Sequence, residues 1–192
     1  MDTWRTAPQM DHETQMLLRQ GLLIEYAPGC TVPADLASLP VLRAELISRI
    51  VVADAVAILW SALWIHTGWH HPEKLSVVCA AHPRRTKAPY MFRTAIAERS
   101  QQRIGPLNVT TTARTAADLL VLDGSSQALD AVFVLLNHGL DPAHVERELE
   151  ELSTRPRYGF AAGVAAALPH YLEERSTRSH HCEMTFPSLT SP

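Results

Sequence analysis

Few residues in this chain fall at spacings that could do chemistry, and each group has a plainer reading beside it. His66, His70 and His71 lie close together, and His180, His181 and Cys182 form a second group. A zinc site needs ligands fixed in tetrahedral geometry, commonly at C-x2-C or H-x3-H type spacing. His66 and His70 are at i, i+4, but Gly68 falls between them and ends the helix that would present both. The HHC triplet sits in a Ser/Thr/Pro-rich tail. Loop histidines are the expectation, with no metal and no cofactor.

Hydrolytic chemistry has no anchor either. The chain has no G-x-S-x-G elbow, no P-loop and no dinucleotide fingerprint. Cys79 reads as mid-strand and Cys30 as a turn residue. A metal-dependent nuclease would want carboxylates converging on strand ends, whereas Asp54, Asp118 and Asp123 precede, occupy or follow helices. The sequence therefore reads as that of a non-enzyme, with no catalytic residue.

Two features remain. Arg114 and Asp118 stand at i, i+4 within LNVTTTARTAADLLVL, residues 107–122. As an intrahelical ion pair they would add a few tenths of a kcal/mol. Alternatively, Asp118 holds the Thr110–Thr112 turn or a nearby backbone N–H and secures a strand-to-helix junction. A structural role is the expectation. The second feature is basic: between residues 81 and 103, Arg84, Arg85, Lys87, Arg93, Arg99 and Arg103 face Glu98 alone. Arg84, Arg85 and Lys87 on a loop beside Arg93 could bind phosphate, largely blind to sequence. They could equally meet an acidic protein, or simply be solvated.

The elements that must position these groups can be read from composition and period. At 192 residues, 46% hydrophobic and 19% charged, the chain can bury one good-sized core. A formal charge of −3 exerts no general pull on nucleic acid. Three scattered cysteines fit a reducing cytoplasm. The N-terminus shows no signal peptide, and the apolar run 50–65 contains Asp54 and falls short of the roughly 20 residues that span a bilayer. A soluble, cytoplasmic protein without a membrane segment is the expectation.

Met16–Gln20 reads as a helix end capped by Gly21, Leu22–Tyr26 and Cys30–Val32 as a hairpin. That order matches the back half of a winged helix-turn-helix, or a plain edge hairpin. A connector from Pro33 to Pro40 leads to a helix from Val41 whose stripe is Leu42, Leu46, Ile47, Ile50 and Val51, with Arg43 outside it. Asp54 would cap a buried helix, Ala55–His66. Leu75–Cys79 and Tyr90–Thr94 read as strands, and Leu107–Val109 as another.

A helix then carries Arg114 and Asp118 and stops at Asp123-Gly124. Ser125 or Ser126 starts the next helix, with a stripe of Leu129, Val132, Phe133 and Leu136. Asp141 and Pro142 open a further one bearing Glu146, Glu148, Glu150 and Glu151. Phe160–Leu172 is the last. Without βαβ alternation, the fold class is α+β, a small mostly antiparallel or mixed sheet packed with helices and preceded by a remnant winged-helix hairpin. The expected domains are 1–36, a partial winged helix with a disordered start; 37–173, an α+β domain; and 174–192, a disordered tail.

On these residues the chain resembles the AbiEi-type antitoxins of type IV toxin–antitoxin systems, actinobacterial relatives in particular, over roughly residues 17 to 172. The hallmark runs Gly105, Val109, Thr110, Arg114, Thr115, Asp118, Leu119. WSALWIHTG resembles the family's small-residue core helix, and Ala57 stands where the family has a serine. Phe92-Arg93 falls where relatives often carry His-Arg. ALDAVFVLLNHGL is similar to the helix after the hallmark, and LLRQGLLIEYAPGCTVPA to the end of a recognition helix and its wing.

The resemblance implies a non-enzymatic antitoxin and autoregulating repressor. Its implied partners are operator DNA and a nucleotidyltransferase-like toxin of the AbiEii type, with room for a homodimer. Arg19, Arg84, Arg85, Lys87 and Arg93 would then contact phosphates. Here the two helices that should precede the wing are absent or unrecognisable. The alternative is a stand-alone protein-interaction module without DNA binding.

Overall fold

The computed structural model describes residues 11–27, 29–72, 74–79, 90–92 and 96–183, the side chains of 90–92 and 178–183 excepted. The architecture is α+β, with a two-stranded and a five-stranded sheet. Helix α1, His12–Arg19, begins where the Asp11 carboxylate accepts the Thr14 N–H and stops before Gly21, which has φ +71°. Strands β1, Leu23–Ala27, and β2, Cys30–Pro33, pair antiparallel as the hairpin expected from the sequence. The connector folds into a 3-10 turn, Ala34–Ala37, before helix α2, Pro40–Ser48.

The central sheet contains β3, Val56–Ala57; β4, Ser76–Val78; β5, Tyr90–Phe92; β6, Gln101–Ile104; and β7, Leu107–Thr110. Its order is β5-β4-β3-β7-β6. β3 runs parallel to β7 and antiparallel to β4, β5 is parallel to β4, and β6 closes a hairpin on β7. Helix α3, Leu59–Thr67, follows β3 directly.

Two elements correct the sequence reading. Ala55–Ala57 was expected to open a helix, but Val56 and Ala57 are the middle strand of the sheet. An apolar run buried on every side has no period from which to tell a strand from a helix. Asp54 caps nothing helical there; it takes a left-handed φ of +65° ahead of the strand. β6 was also unforeseen, because Gln-Gln-Arg-Ile at a sheet edge carries little apolar alternation.

The sheet's two faces carry separate cores, as a side-chain period of two requires. Val56 and Val78 face one way, into the layer built by helix α4, Thr112–Asp118, its π-helical extension Leu119–Asp123, and helices α5, Ser126–Leu136, α6, Pro142–Glu150, and α7, Tyr158–Glu183. Ala57, Leu107 and Val109 face the other way, with Ala44, Leu46 and Ile47 of α2 and with Ala27 and Val32 of the hairpin. α3 serves both cores, Leu59 and Leu63 on one side and Ala62, Trp64 and Ile65 on the other.

In α5 the buried stripe is Ala128, Ala131, Val132 and Leu135, so the larger Leu129, Phe133 and Leu136 sit at its partly covered margin. α7 continues past the Leu172 end expected for it, to Glu183. Among the described residues no helix is long and apolar enough to cross a membrane.

Candidate functional site

The strand-to-helix junction is built by threonines. Thr111, at the end of β7, caps α4 by accepting the Arg114 N–H on its hydroxyl at 3.2 Å. Thr110 and Thr115 share a hydroxyl hydrogen bond of 2.8 Å, and the Thr110 hydroxyl also donates to the Ala57 carbonyl at 3.4 Å. The Thr110 carbonyl accepts from His66 Nε2 at 2.7 Å. A carbonyl can only accept, so His66 carries its proton on Nε2. Burial lowers its pKa despite the hydrogen bond to Thr110, and the imidazole is neutral at pH 7. His66 is therefore a core residue that ties α3 to β7.

Arg114 and Asp118 are enclosed, at 4% and 2% exposure, so they are not a surface pair. Arg114 Nε donates to Asp118 Oδ1 at 2.9 Å. Its Nη1 donates to Glu151 Oε2 at 2.9 Å and lies 3.5 Å from Glu148 Oε2. Ser100, just before β6, donates its hydroxyl to Glu148 Oε2 at 2.7 Å and lies 3.0 Å from Oε1. Arg99 pairs with Glu151 from outside.

One guanidinium thus fastens α4 to α6, and the serine ties α6 to β6. Asp118 holds Arg114, the intrahelical pair that was one of its two sequence readings, and not the threonine turn. Burial pushes its carboxyl up to about 6, against the opposing pull of Arg114. An enclosed carboxylate held by a guanidinium is placed to fix an element, whereas a general acid or base must reach its substrate.

Of the predicted phosphate-contacting residues, Arg19 alone lies among the described residues. Arg19 is exposed at the end of α1. Arg84, Arg85, Lys87 and Arg93 lie outside the described residues, so the basic loop has no geometry to report. Among the described residues no group of three His, Cys, Asp or Glu side chains is placed to hold a metal ion.

Three participants escaped the sequence reading although a signal for two was present. Glu148 falls on the face of α6 set by Val145, Leu149 and Leu152, all buried. A carboxylate on a buried stripe calls for a partner. Arg43 likewise shares the buried face of α2 with Ala44 and Ile47. It donates Nε to Ile65 O at 3.0 Å, Nη1 to Ala37 O and Ser38 O at 2.8 and 2.9 Å, and Nη2 to His66 O at 3.3 Å. A cation on the last carbonyls of α3 suits that end of the helix. Ser100 gave no signal, since its role depends on an edge strand that was itself unforeseen.

Turning from geometry to likeness, no family model matches the chain, and no curated protein or solved structure matches it.

Proposed function

We propose that this chain is a non-enzymatic, AbiEi-like antitoxin and transcriptional autoregulator that counters a nucleotidyltransferase-type toxin. The observation that carries the reading is the N-terminal unit. A helix with no buried residue leads into a two-stranded sheet separate from the main one, and Arg19 stands exposed between them. Helix, exposed cation and hairpin in that order suit a wing laid along a phosphate backbone. The Gly105, Val109, Thr110, Arg114, Thr115, Asp118, Leu119 pattern adds support, because its polar members are the residues that lock the junction and its helix. Arg84, Arg85, Lys87 and Arg93 are proposed to complete the phosphate contacts. A homodimer is part of the proposal, since paired half-sites call for two copies.

Gel shifts with the upstream intergenic DNA test this reading. Binding that weakens steeply with salt, and is lost when Arg19, Arg84, Arg85 and Lys87 are neutralised, is the expected result. Salt-independent binding, or none, would refute the DNA half.

A second reading, a protein-interaction module without DNA binding, is favoured by one observation. Met16, Leu22, Leu36, Leu39 and Val41, all in the N-terminal unit and the start of α2, are each 44% exposed or more. Exposed apolar side chains gathered in one part of a chain suit a protein partner. This reading predicts co-purification with the toxin by a chain that shifts no DNA.

A further inference from the structure

A cleft of about 300 Å³ opens beside the Arg114 network, where the 3-10 turn before β6, the start of α4 and one side of α6 meet. Six of its lining side chains matter here: Arg99, Thr112, Asp141, His144, Arg147 and Glu148. Both carboxylates are already engaged within the chain. Glu148 takes the Ser100 hydroxyl and lies beside Arg114. Asp141 accepts the Ala143 N–H at 3.0 Å and lies 3.2 Å from His144 Nδ1. Arg99 is shared with Glu151.

Arg147 differs from all of these. It is exposed, lines the cleft, and has neither an acidic partner nor a hydrogen bond among the described residues. The Thr112 hydroxyl on the facing wall is likewise uncommitted. We infer that this cleft binds a phosphate group, held by the planar fork of Arg147 and assisted by Arg99 and Thr112. A guanidinium with its donors free matches a tetrahedral oxyanion better than any neutral ligand. A volume of this size admits a mononucleotide as readily as a bare phosphate. The inference does not depend on the wing or on the basic loop.

Isothermal titration of the full chain decides it, with three phosphate-bearing probes (inorganic phosphate, adenosine monophosphate, and a short single-stranded oligonucleotide carrying a 5′-phosphate) and the unphosphorylated oligonucleotide as control. The expected result is saturable binding of at least one probe, weakened about tenfold or more in Arg147→Gln. Binding of inorganic phosphate alone would make the source a free anion. Tighter binding of the nucleotide would make it a nucleotide, and preference for the phosphorylated over the unphosphorylated oligonucleotide a nucleic-acid end. Arg147 is exposed and unpaired, so its variant should keep the wild-type circular dichroism and melting curve. Absence of binding for all three probes, or binding that Arg147→Gln leaves unchanged, overturns the inference. Gel shifts with operator DNA that survive Arg147→Gln would leave the DNA-binding proposal standing on its own.

Discussion

At Arg114 a single side chain joins two helices, and its loss should be felt through both. Arg114→Met would leave Asp118 without its guanidinium and free Glu151 from α4. Breaking a buried pair from one side costs about 3–5 kcal/mol, and urea denaturation should show that loss. Arg114→Lys should recover little of it, because an ammonium cannot reach two carboxylates with a planar fork. A variant as stable as the parent would mean the network does not clamp α6.

Asp118 gives the same site a pH signature. Its folded value of about 6 lies above the 3.8 of an unperturbed carboxyl. Between those values the folded chain holds a proton that the unfolded chain has released. The associated stability is fully present below about pH 4 and is lost as pH rises through 6, a change of roughly 2–3 kcal/mol. Asp118→Asn should flatten that slope in denaturation curves taken at several pH values. A slope unchanged in the variant would place the titration elsewhere.

Among elements, α3 depends on features at both ends that a linear reading only half captures. Gly68 closes the helix at φ +73°, donating its N–H to the Trp64 carbonyl at 2.8 Å. A Cβ there would lie 3.1 Å from Arg43 Nη1. Gly68→Ala should therefore cost about 1–2 kcal/mol for its backbone, with any displacement of Arg43 adding to it. Arg43→Met should cost about 3 kcal/mol or more, since buried carbonyls of α3 and of the turn before α2 would lose their donor. Thermal melts of both variants check the two figures. The helix stop at Gly68 was legible from the residue type alone. Arg43 was only half legible: it shares the buried face of α2 with Ala44 and Ile47, but the carbonyls it caps come alongside only in the fold.

The same contrast runs through the other elements. The α1–hairpin order and the Asp141-Pro142 start were legible because turn and cap chemistry is local. β3 was not, since two residues buried on both faces carry no period. The Arg114–Asp118 spacing was visible, but Glu148, Glu151 and Ser100 lie 34, 37 and 14 positions from Arg114 in the chain. Only packing of α6 against α4 brings them together, and no periodicity encodes that.

Across the whole molecule, the five-stranded sheet with its two cores forms the body and the hairpin unit adds to one of them. Met16 and Leu22 in that unit, and Leu36, Leu39 and Val41 just after it, are exposed, so their role is expected in contact rather than in stability. Leu36→Asp with Leu39→Asp should change unfolding free energy by no more than about 0.5 kcal/mol per site, while weakening capture of the proposed toxin partner. Loss of both stability and capture would instead make these side chains part of the fold.

We propose that the chain neutralises a toxin without performing a reaction of its own. Growth of a host that expresses a nucleotidyltransferase-type toxin, with and without this chain, is the test. Co-expression should restore growth. Persistent growth arrest in the presence of excess, folded chain would contradict it.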